Sequence, residues 1–207
     1  MKMKRVKHFG ETVEGYNIPV LNEREIRASA GILFLLMFIS IMFVAFENYY
    51  GVLKSAIVIF LTDFIIRVFV NPKYSPTLII GKMIVRNQVP EYVGAAQKRF
   101  AWMIGVVMSA TMFVAIGLLN WDNLFTSLFC HTCLWFLFFE SAFGICIGCK
   151  IYAKVYQEKA QYCPGEVCEA HERHEIQKTS KVQKFIIFGF AAYIFLIIFL
   201  FNGYLAS

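Results

Sequence analysis

Apolar residues are concentrated in five blocks that are separated by polar segments. The blocks cover approximately residues 28–46, 51–70, 100–119, 124–149 and 185–204. Each has about the 20 residues that a helix needs to cross the hydrocarbon core of a bilayer. Because backbone groups in lipid must be satisfied within their own segment, each block is predicted to be an α-helix. The pattern therefore predicts an all-α fold, a polytopic transmembrane helix bundle with about five spanning helices.

The positive charges lie in alternate connecting segments. Six Lys or Arg residues precede the first block, five lie in segment 71–99 and seven in segment 150–184. Segments 47–50 and 120–123 and the tail after residue 204 contain none. Cytoplasmic loops of membrane proteins carry the excess of Lys and Arg. We therefore expect a cytoplasmic N-terminus, an outer C-terminus, and two tight antiparallel hairpins formed by blocks one and two and by blocks three and four.

These boundaries predict four regions. Residues 1–27 form a cytoplasmic N-terminal segment, residues 28–149 a four-helix transmembrane region, residues 150–184 a cytoplasmic Cys/His loop, and residues 185–207 the final helix and outer tail. Within the second region, segment 71–99 is predicted to be cytoplasmic and amphipathic, with a short surface helix over residues 78–85. The first 29 residues are polar, so no cleavable signal peptide is expected.

Composition supports a lipid environment and argues against several soluble functions. The chain is 58% hydrophobic and 16% charged, which is more apolar than a typical soluble domain. Its net charge of +6 resides between the apolar blocks, so it reflects membrane topology and predicts no nucleic-acid partner. The chain contains no phosphate-binding loop, HExxH zinc motif or GxSxG nucleophile motif.

All six cysteines occur in closely spaced pairs, which suggests thiol chemistry. The outer pair, Cys130 and Cys133, has the Cys-x-x-Cys spacing of thiol–disulfide active sites and lies in the outer third of the fourth block. A helix dipole would help these thiols little, because they lie about two turns beyond the predicted helix start. Glu140 falls on the same helical stripe, where a protonatable carboxylate could assist a redox-active dithiol.

A second interpretation of Glu140 is structural. Asp63 and Arg67 in the second block are spaced i, i+4 and are predicted to form an ion pair at a similar depth. Glu140 could join that pair as part of a polar clamp between the second and fourth helices. The sequence leaves both interpretations open.

The remaining cysteines and two histidines have the spacing of a metal site. Cys146-x2-Cys149 is followed after 13 residues by Cys163-x4-Cys168. Four thiolates at such spacing are typical of zinc or another thiophilic metal. The histidines supply possible substitute ligands, and cytosolic thiols stay reduced, which favours a metal over a disulfide. The candidate metal ligands are Cys146, Cys149, Cys163, Cys168, His171 and His174.

A straight fourth helix would keep the two transmembrane pairs apart. Cys130 and Cys146 are 16 residues apart, which corresponds to about 24 Å along a helix and to about 160° around it. On that basis the outer and inner pairs are not expected to line one pocket. A kink at Gly144 or Gly148 would change this geometry.

Several sequence strings together resemble a bacterial membrane-protein family, the domain-of-unknown-function family 4395. They are Asn-Pro-Lys-Tyr-Ser-Pro at 71–76, Gln-Lys-Arg-Phe-Ala-Trp at 97–102, Glu140-Ser141, and the ordered cysteine pairs. The resemblance covers residues 17–169. It implies a multi-pass protein of the bacterial inner membrane, and an association with thioredoxin-like or sulfur-handling proteins, but it assigns no catalytic residue.

Three functions are consistent with this sequence. The first is thiol–disulfide exchange, with Cys130 and Cys133 reacting with a thioredoxin-like protein or a quinone and the inner pairs connecting to a cytosolic reductant. The second is transport of a soft metal ion or a sulfur species along successive thiols. The third is a non-enzymatic membrane subunit in which the inner Cys/His cluster binds a structural metal. Substrate, direction and oligomeric state are not determined by the sequence.

Overall fold

The computed structural model describes residues 9–156 and 181–205. It divides the chain into two compact units, Met1–Glu169 and Ala170–Ser207. In the first unit, α1 is Glu23–Glu47, α2 is Gly51–Ile65, α3 is Pro76–Ile84, α4 is Ala95–Met112, α5 is Leu124–Phe143 and α6 is Ile147–Tyr156. In the second unit, α7 is Lys181–Leu205. The fold is mostly helical, as predicted.

Two helices continue as π-helical turns. The turn Ile66–Val70 extends α2, and the turn Phe113–Leu118 extends α4. A short 3₁₀ turn, Pro72–Tyr74, then leads into α3. The predicted short helix over residues 78–85 corresponds to α3, which packs against α1 at Gly81. An added Cβ at Gly81 would lie 2.6 Å from the backbone oxygen of Glu25, so only glycine permits this close approach.

Local sequence signals define the helix ends. The side chain of Asn22 accepts a hydrogen bond from the backbone N–H of Arg24 at the start of α1. Asn123 and Thr126 form a reciprocal capping box at the start of α5. Ser75 caps α3, with Pro76 as its first residue. These caps satisfy N–H groups that a helix leaves without intrahelical partners.

A small antiparallel sheet, which the pattern of apolar blocks does not predict, joins the segments before α1 and α4. Its strands are β1, Val20–Asn22, and β2, Tyr92–Gly94, with Leu21 opposite Val93. Residue Glu11 forms a further bridge to Val20. The N-terminal segment and the 71–99 segment are therefore tied together rather than independent.

Three helical stretches in the described residues are long and apolar enough to cross a membrane. They are Glu23–Glu47, Ala95–Leu118 and Leu124–Phe143. It stays a prediction that α2 and α7 also cross the membrane. The orientation of the chain stays a prediction as well. Many of the large apolar side chains of these helices are exposed, including Phe38, Phe46 and Trp135, as lipid-facing side chains would be.

The core of the first unit lies where α1, α2, α4 and α5 meet. α1 packs against α2, α3 and α5, while α4 packs against α2 and α6. Leu33, Ile57, Trp102 and Leu137 are among its buried side chains. Gly105 permits a close contact between α4 and α2, because a Cβ there would lie 2.3 Å from the Phe64 ring.

Candidate functional site

The helix predicted to run from residue 124 to residue 149 is broken. α5 ends at Gly144, whose φ of +66° is the left-handed conformation common after helix C-termini. The Arg27 guanidinium, from α1, donates hydrogen bonds to the backbone oxygens of Ser141 (3.4 Å) and Ala142 (3.2 Å). These contacts cap the end of α5, and a separate helix, α6, begins at Ile147. The prediction of one helix over residues 124–149 is therefore wrong, and the break lies at Gly144, one of the two kink positions that the sequence left open.

The break places the inner cysteine pair at the start of α6. Cys146 immediately precedes the helix, and the backbone N–H of Cys149 donates a hydrogen bond of 3.3 Å to the Cys146 Sγ. Both side chains are buried. The neighbouring Cys146 side chain and burial raise the pKa of the Cys149 thiol. The inner pair is therefore a buried Cys-x-x-Cys at a helix start, and its first sulfur accepts a backbone N–H.

A cavity of about 60 Å³ adjoins this pair. Its walls come from α2, α4, α5 and α6, and most are apolar or aromatic. Cys133, Glu140 and Cys146 all line it. One cysteine of each pair therefore lines the same cavity, which was not expected for a straight helix, because the turn at Gly144 redirects the chain after α5.

The outer pair has a different environment. Cys133 is half-buried and reaches the cavity, whereas Cys130 is buried and its thiol contacts the Met112 sulfur at 3.6 Å. Cys130 lies in the second turn of α5, as expected from the predicted helix start. All four cysteines in the described part of the chain are free thiols.

Glu140 forms an ion pair, and its partner is Lys98 of α4. The Lys98 Nζ lies 2.9 Å from Glu140 Oε1 and 2.8 Å from Glu23 Oε2. Lys98 and Glu23 are completely buried, and the Glu140 side chain is 15% exposed. The ammonium thus joins the starts of α1 and α4 to the end of α5.

The predicted pair between Asp63 and Arg67 is present, but its other partners are not on α5. Arg67 Nε lies 2.7 Å from Asp63 Oδ2, and both side chains are 2% exposed. Asp63 also accepts hydrogen bonds from Ser75 and from both the backbone N–H and the hydroxyl of Thr77. The Arg67 guanidinium donates to Ser29 of α1 and stacks near the Trp102 ring. The clamp therefore joins α2 to α1 and α3.

Lys98 and Glu23 were not identified as site residues from the sequence. Lys98 is one of several basic residues before the third apolar block, so it was counted as a topology signal. Glu23 lies at a helix start, where acidic residues are common because of the helix dipole. Only the packing of α1, α4 and α5 shows that both are buried, and no local signal distinguishes them from their exposed neighbours.

The predicted metal site is only partly within the described residues. Cys146 and Cys149 are adjacent, but no group of three or more His, Cys, Asp or Glu side chains in residues 9–156 and 181–205 is arranged to hold a metal. The other four predicted ligands lie outside the described residues: Cys163, Cys168, His171 and His174. Zinc binding stays a prediction.

The sequence comparison identifies the family. The family described as Domain of unknown function (DUF4395) matches residues 21–157, well over half of the chain. The chain belongs to the DUF4395 family. The matched region contains α1 to α6, including the Glu23–Lys98–Glu140 ion pairs and the pairs Cys130/Cys133 and Cys146/Cys149, and it ends before Cys163. No curated protein and no solved structure matches the chain.

Proposed function

We propose that this DUF4395 protein is a membrane thiol–disulfide exchange protein whose reacting pair is Cys146 and Cys149. The observation that carries the proposal is the 3.3 Å hydrogen bond from the Cys149 N–H to the Cys146 Sγ at the start of α6. Amide N–H groups at a helix start stabilise negative charge on sulfur, and the thiolate is the nucleophile in exchange. Cys146 is therefore the attacking residue, and Cys149 is the resolving residue.

The reaction is a disulfide exchange that conserves electrons. The Cys146 thiolate attacks one sulfur of a partner disulfide, forms a mixed disulfide and releases the partner's other sulfur as a thiolate. Cys149 then loses its proton and attacks Cys146, so the Cys146–Cys149 disulfide forms. The partner leaves as a dithiol, having received two electrons and two protons. A thioredoxin-like protein is the partner class that this chemistry fits.

Cys133 provides a second thiol for the exchange reaction. It lines the same cavity as Cys146, on the α5 side, and it is the more exposed member of its own pair. A disulfide formed at the inner pair can pass to Cys133 and then to Cys130 by the same exchange chemistry. This order supports an electron relay in which the shared cavity connects two dithiols. A membrane quinone would be an alternative oxidant for the outer pair.

The proposal is tested by trapping the mixed disulfide. The detergent-purified protein is reacted with dipyridyl disulfide, and the adducts are located by peptide mass spectrometry. In Cys149→Ser, we expect a stable thiopyridyl adduct on Cys146, because the resolving thiol is absent. In the unmodified protein, we expect a Cys146–Cys149 disulfide and no lasting adduct at this pair.

Cys130→Ser provides the matched control, since it removes the buried member of the other Cys-x-x-Cys pair. It should leave the Cys146–Cys149 disulfide intact and produce an adduct at Cys133 only. Equal reactivity of Cys146 in all variants, with no internal disulfide, would contradict the proposal. Bound zinc that is lost in Cys146→Ser, together with unreactive inner thiols, would support the metal-site hypothesis instead.

A further inference from the structure

The facing sides of α4 and α5 carry four sulfur atoms. The thiol of Cys130 lies 3.6 Å from the sulfur of Met112, and both side chains are buried. Farther along the same helices, Cys133 of α5 and Met108 of α4 both line the cavity. The two cysteines are three residues apart and the two methionines four, so each pair lies on one face of its helix.

The direction of the two helices keeps these sulfurs at matching levels. Lys98 near the start of α4 pairs with Glu140 near the end of α5. Met112 at the end of α4 meets Cys130 near the start of α5, so the helices are antiparallel. From that sulfur contact, four residues back on α4 and three forward on α5 cover about 6 Å and about 4.5 Å in the same direction. The second thioether and the second thiol therefore lie at similar levels.

The spacing of Cys130 and Met112 fits a shared metal ion. Metal–sulfur bonds such as those of zinc thiolates are about 2.3 Å long, so two sulfurs on one trigonal or tetrahedral ion lie about 3.8–4.0 Å apart. The observed distance of 3.6 Å is close to that range. Both sulfurs can therefore bind one ion with little movement of either side chain.

Three polar side chains close to these sulfurs in sequence are bonded within their own segments. The Ser109 hydroxyl donates to backbone oxygens of α4, and the Thr126 hydroxyl donates to the backbone oxygen of the residue that caps α5. His131 is exposed, and its Nδ1 lies 2.8 Å from a backbone oxygen of α5. The ligands that α4 and α5 offer to an ion here are therefore sulfurs.

A set of thiols and thioethers favours a soft ion. Thiolate and thioether ligands are typical of Cu(I), whereas zinc sites use Cys, His, Asp and Glu, and hard cations use oxygen. The charge of Cu(I) also fits the place. One thiolate with neutral thioethers gives a neutral complex, and an unpaired charge would be costly between helices apolar enough to cross a membrane.

We propose that the outer pair and Met112 bind one Cu(I) ion between α4 and α5, with Met108 as a further ligand on the cavity side. A thiol that becomes a thiolate ligand releases its proton to solvent, and no electron is transferred. Cys133 is half-buried and lines the cavity, so an incoming ion reaches it first. The ion and a Cys130–Cys133 disulfide are alternative states of the outer pair. Bound Cu(I) therefore keeps this pair reduced, while exchange at the inner pair continues.

The test measures Cu(I) affinity by anaerobic competition with bicinchoninate, a chelator that is coloured when it holds Cu(I). A full-length parent variant isolates the outer pair by replacing the other four cysteines: C146S, C149S, C163S and C168S. We expect this variant to bind one Cu(I) per chain. Adding Met112→Leu keeps the side-chain volume but removes the thioether, and it should weaken binding about 10- to 100-fold, the range for disturbed metal sites. Adding Cys130→Ser should weaken binding further.

Met103→Leu is the matched control, because Met103 is also on α4 but is 39% exposed. Added to the parent variant, it should leave the Cu(I) affinity unchanged. Equal affinities in the Met112→Leu and Met103→Leu variants would show that the thioether is not a ligand and would overturn the site. A parent variant that takes no Cu(I) from the chelator would overturn it as well.

A second measurement uses the unmodified protein and does not require the serine variant to fold. Peptide mass spectrometry follows the alkylation of Cys133 by N-ethylmaleimide with and without Cu(I). Cu(I) should slow this reaction in the unmodified protein and in Met103→Leu, and much less in Met112→Leu. An alkylation rate that Cu(I) does not change in the unmodified protein would contradict the site. The reaction of Cys146 with dipyridyl disulfide is measured separately, so either proposal can fail alone.

Discussion

At the residue scale, buried charges in this protein are held by several partners each. Asp63 receives hydrogen bonds from Arg67, Ser75 and Thr77, and Lys98 has two carboxylates within 2.9 Å. A buried ion pair adds little stability by itself, but removing one partner leaves a charge in a medium that cannot solvate it. The two clusters therefore fix how α1 to α5 pack.

Asp63→Asn should be strongly destabilising. The amide keeps the size of the side chain but removes the charge that balances the buried Arg67 guanidinium. The expected loss is about 3–5 kcal/mol of unfolding free energy, the range for breaking a buried pair. Reversible unfolding in mixed detergent micelles, monitored by circular dichroism, measures it.

Glu11→Gln is the control for Asp63→Asn, because it removes the carboxylate of an exposed ion pair with Lys73. Those side chains are 49% and 62% exposed, so the expected loss is at most about 1 kcal/mol. If both variants lose a similar amount of unfolding free energy, burial does not determine the cost of removing a paired carboxylate. That result would contradict our interpretation of the Asp63–Arg67 network.

At the element scale, glycine determines how closely α6 can approach α4. A Cβ at Gly148 would lie 2.5 Å from the Ala101 Cβ and 2.7 Å from its Cα, which neither helix can accommodate without moving. Gly148 lies between Cys146 and Cys149, so this contact sets the position of the inner pair relative to the cavity. Gly144 ends α5 and so allows α6 to take its own direction.

Gly148→Ala should displace α6 and disturb the thiol site. We expect a loss of about 1–3 kcal/mol from overpacking, and a changed rate of Cys146 modification by an alkylating maleimide. Gly189→Ala is the matched control within a helix, because nothing lies within 4 Å of the Cβ that it adds. Gly189→Ala should leave the Cys146 modification rate unchanged, and it should leave the unfolding free energy nearly unchanged or raise it slightly by stabilising α7. An unaltered Cys146 rate in Gly148→Ala would argue against the contact with Ala101.

At the scale of the whole first unit, side-chain contacts place helix ends at two opposite levels. Lys98 joins the starts of α1 and α4 to the end of α5. At the other level, Lys54 near the start of α2 donates a hydrogen bond to Asn120, which follows the π-helical extension of α4. This alternation is what antiparallel hairpins require.

Reporter fusions should show that the helix ends near Lys98 face the cytoplasm. Alkaline phosphatase is active only outside the cytoplasm, and green fluorescent protein folds efficiently inside it. We expect phosphatase activity for fusions after residues 49, 121 and 207, and fluorescence for fusions after residues 88 and 165. Phosphatase activity at residue 88, or fluorescence at residue 207, would contradict the predicted orientation or the five spans.

The apolar blocks by themselves predicted α1, α2, α4, α5 and α7, though not the separate helix α6, because a long apolar run in lipid has no other way to satisfy its backbone. The i, i+4 pair of Asp63 and Arg67 was predictable for a similar reason, since helix geometry alone makes those side chains neighbours. The helix caps at Asn22, Ser75 and Asn123 are likewise local, because each involves residues two or three positions apart.

The site depended on tertiary structure. Whether Gly144 breaks a helix depends on what can cap the free carbonyls, and here the cap is Arg27, 114 residues away from Ser141 along the chain. That break places Cys146 at a helix start and in one cavity with Cys133. The burial of Glu23 and Lys98 likewise follows from the packing of α1 against α4 and α5. A sequence specifies which residues carry charge or sulfur, but only long-range packing determines which of them lose water and meet.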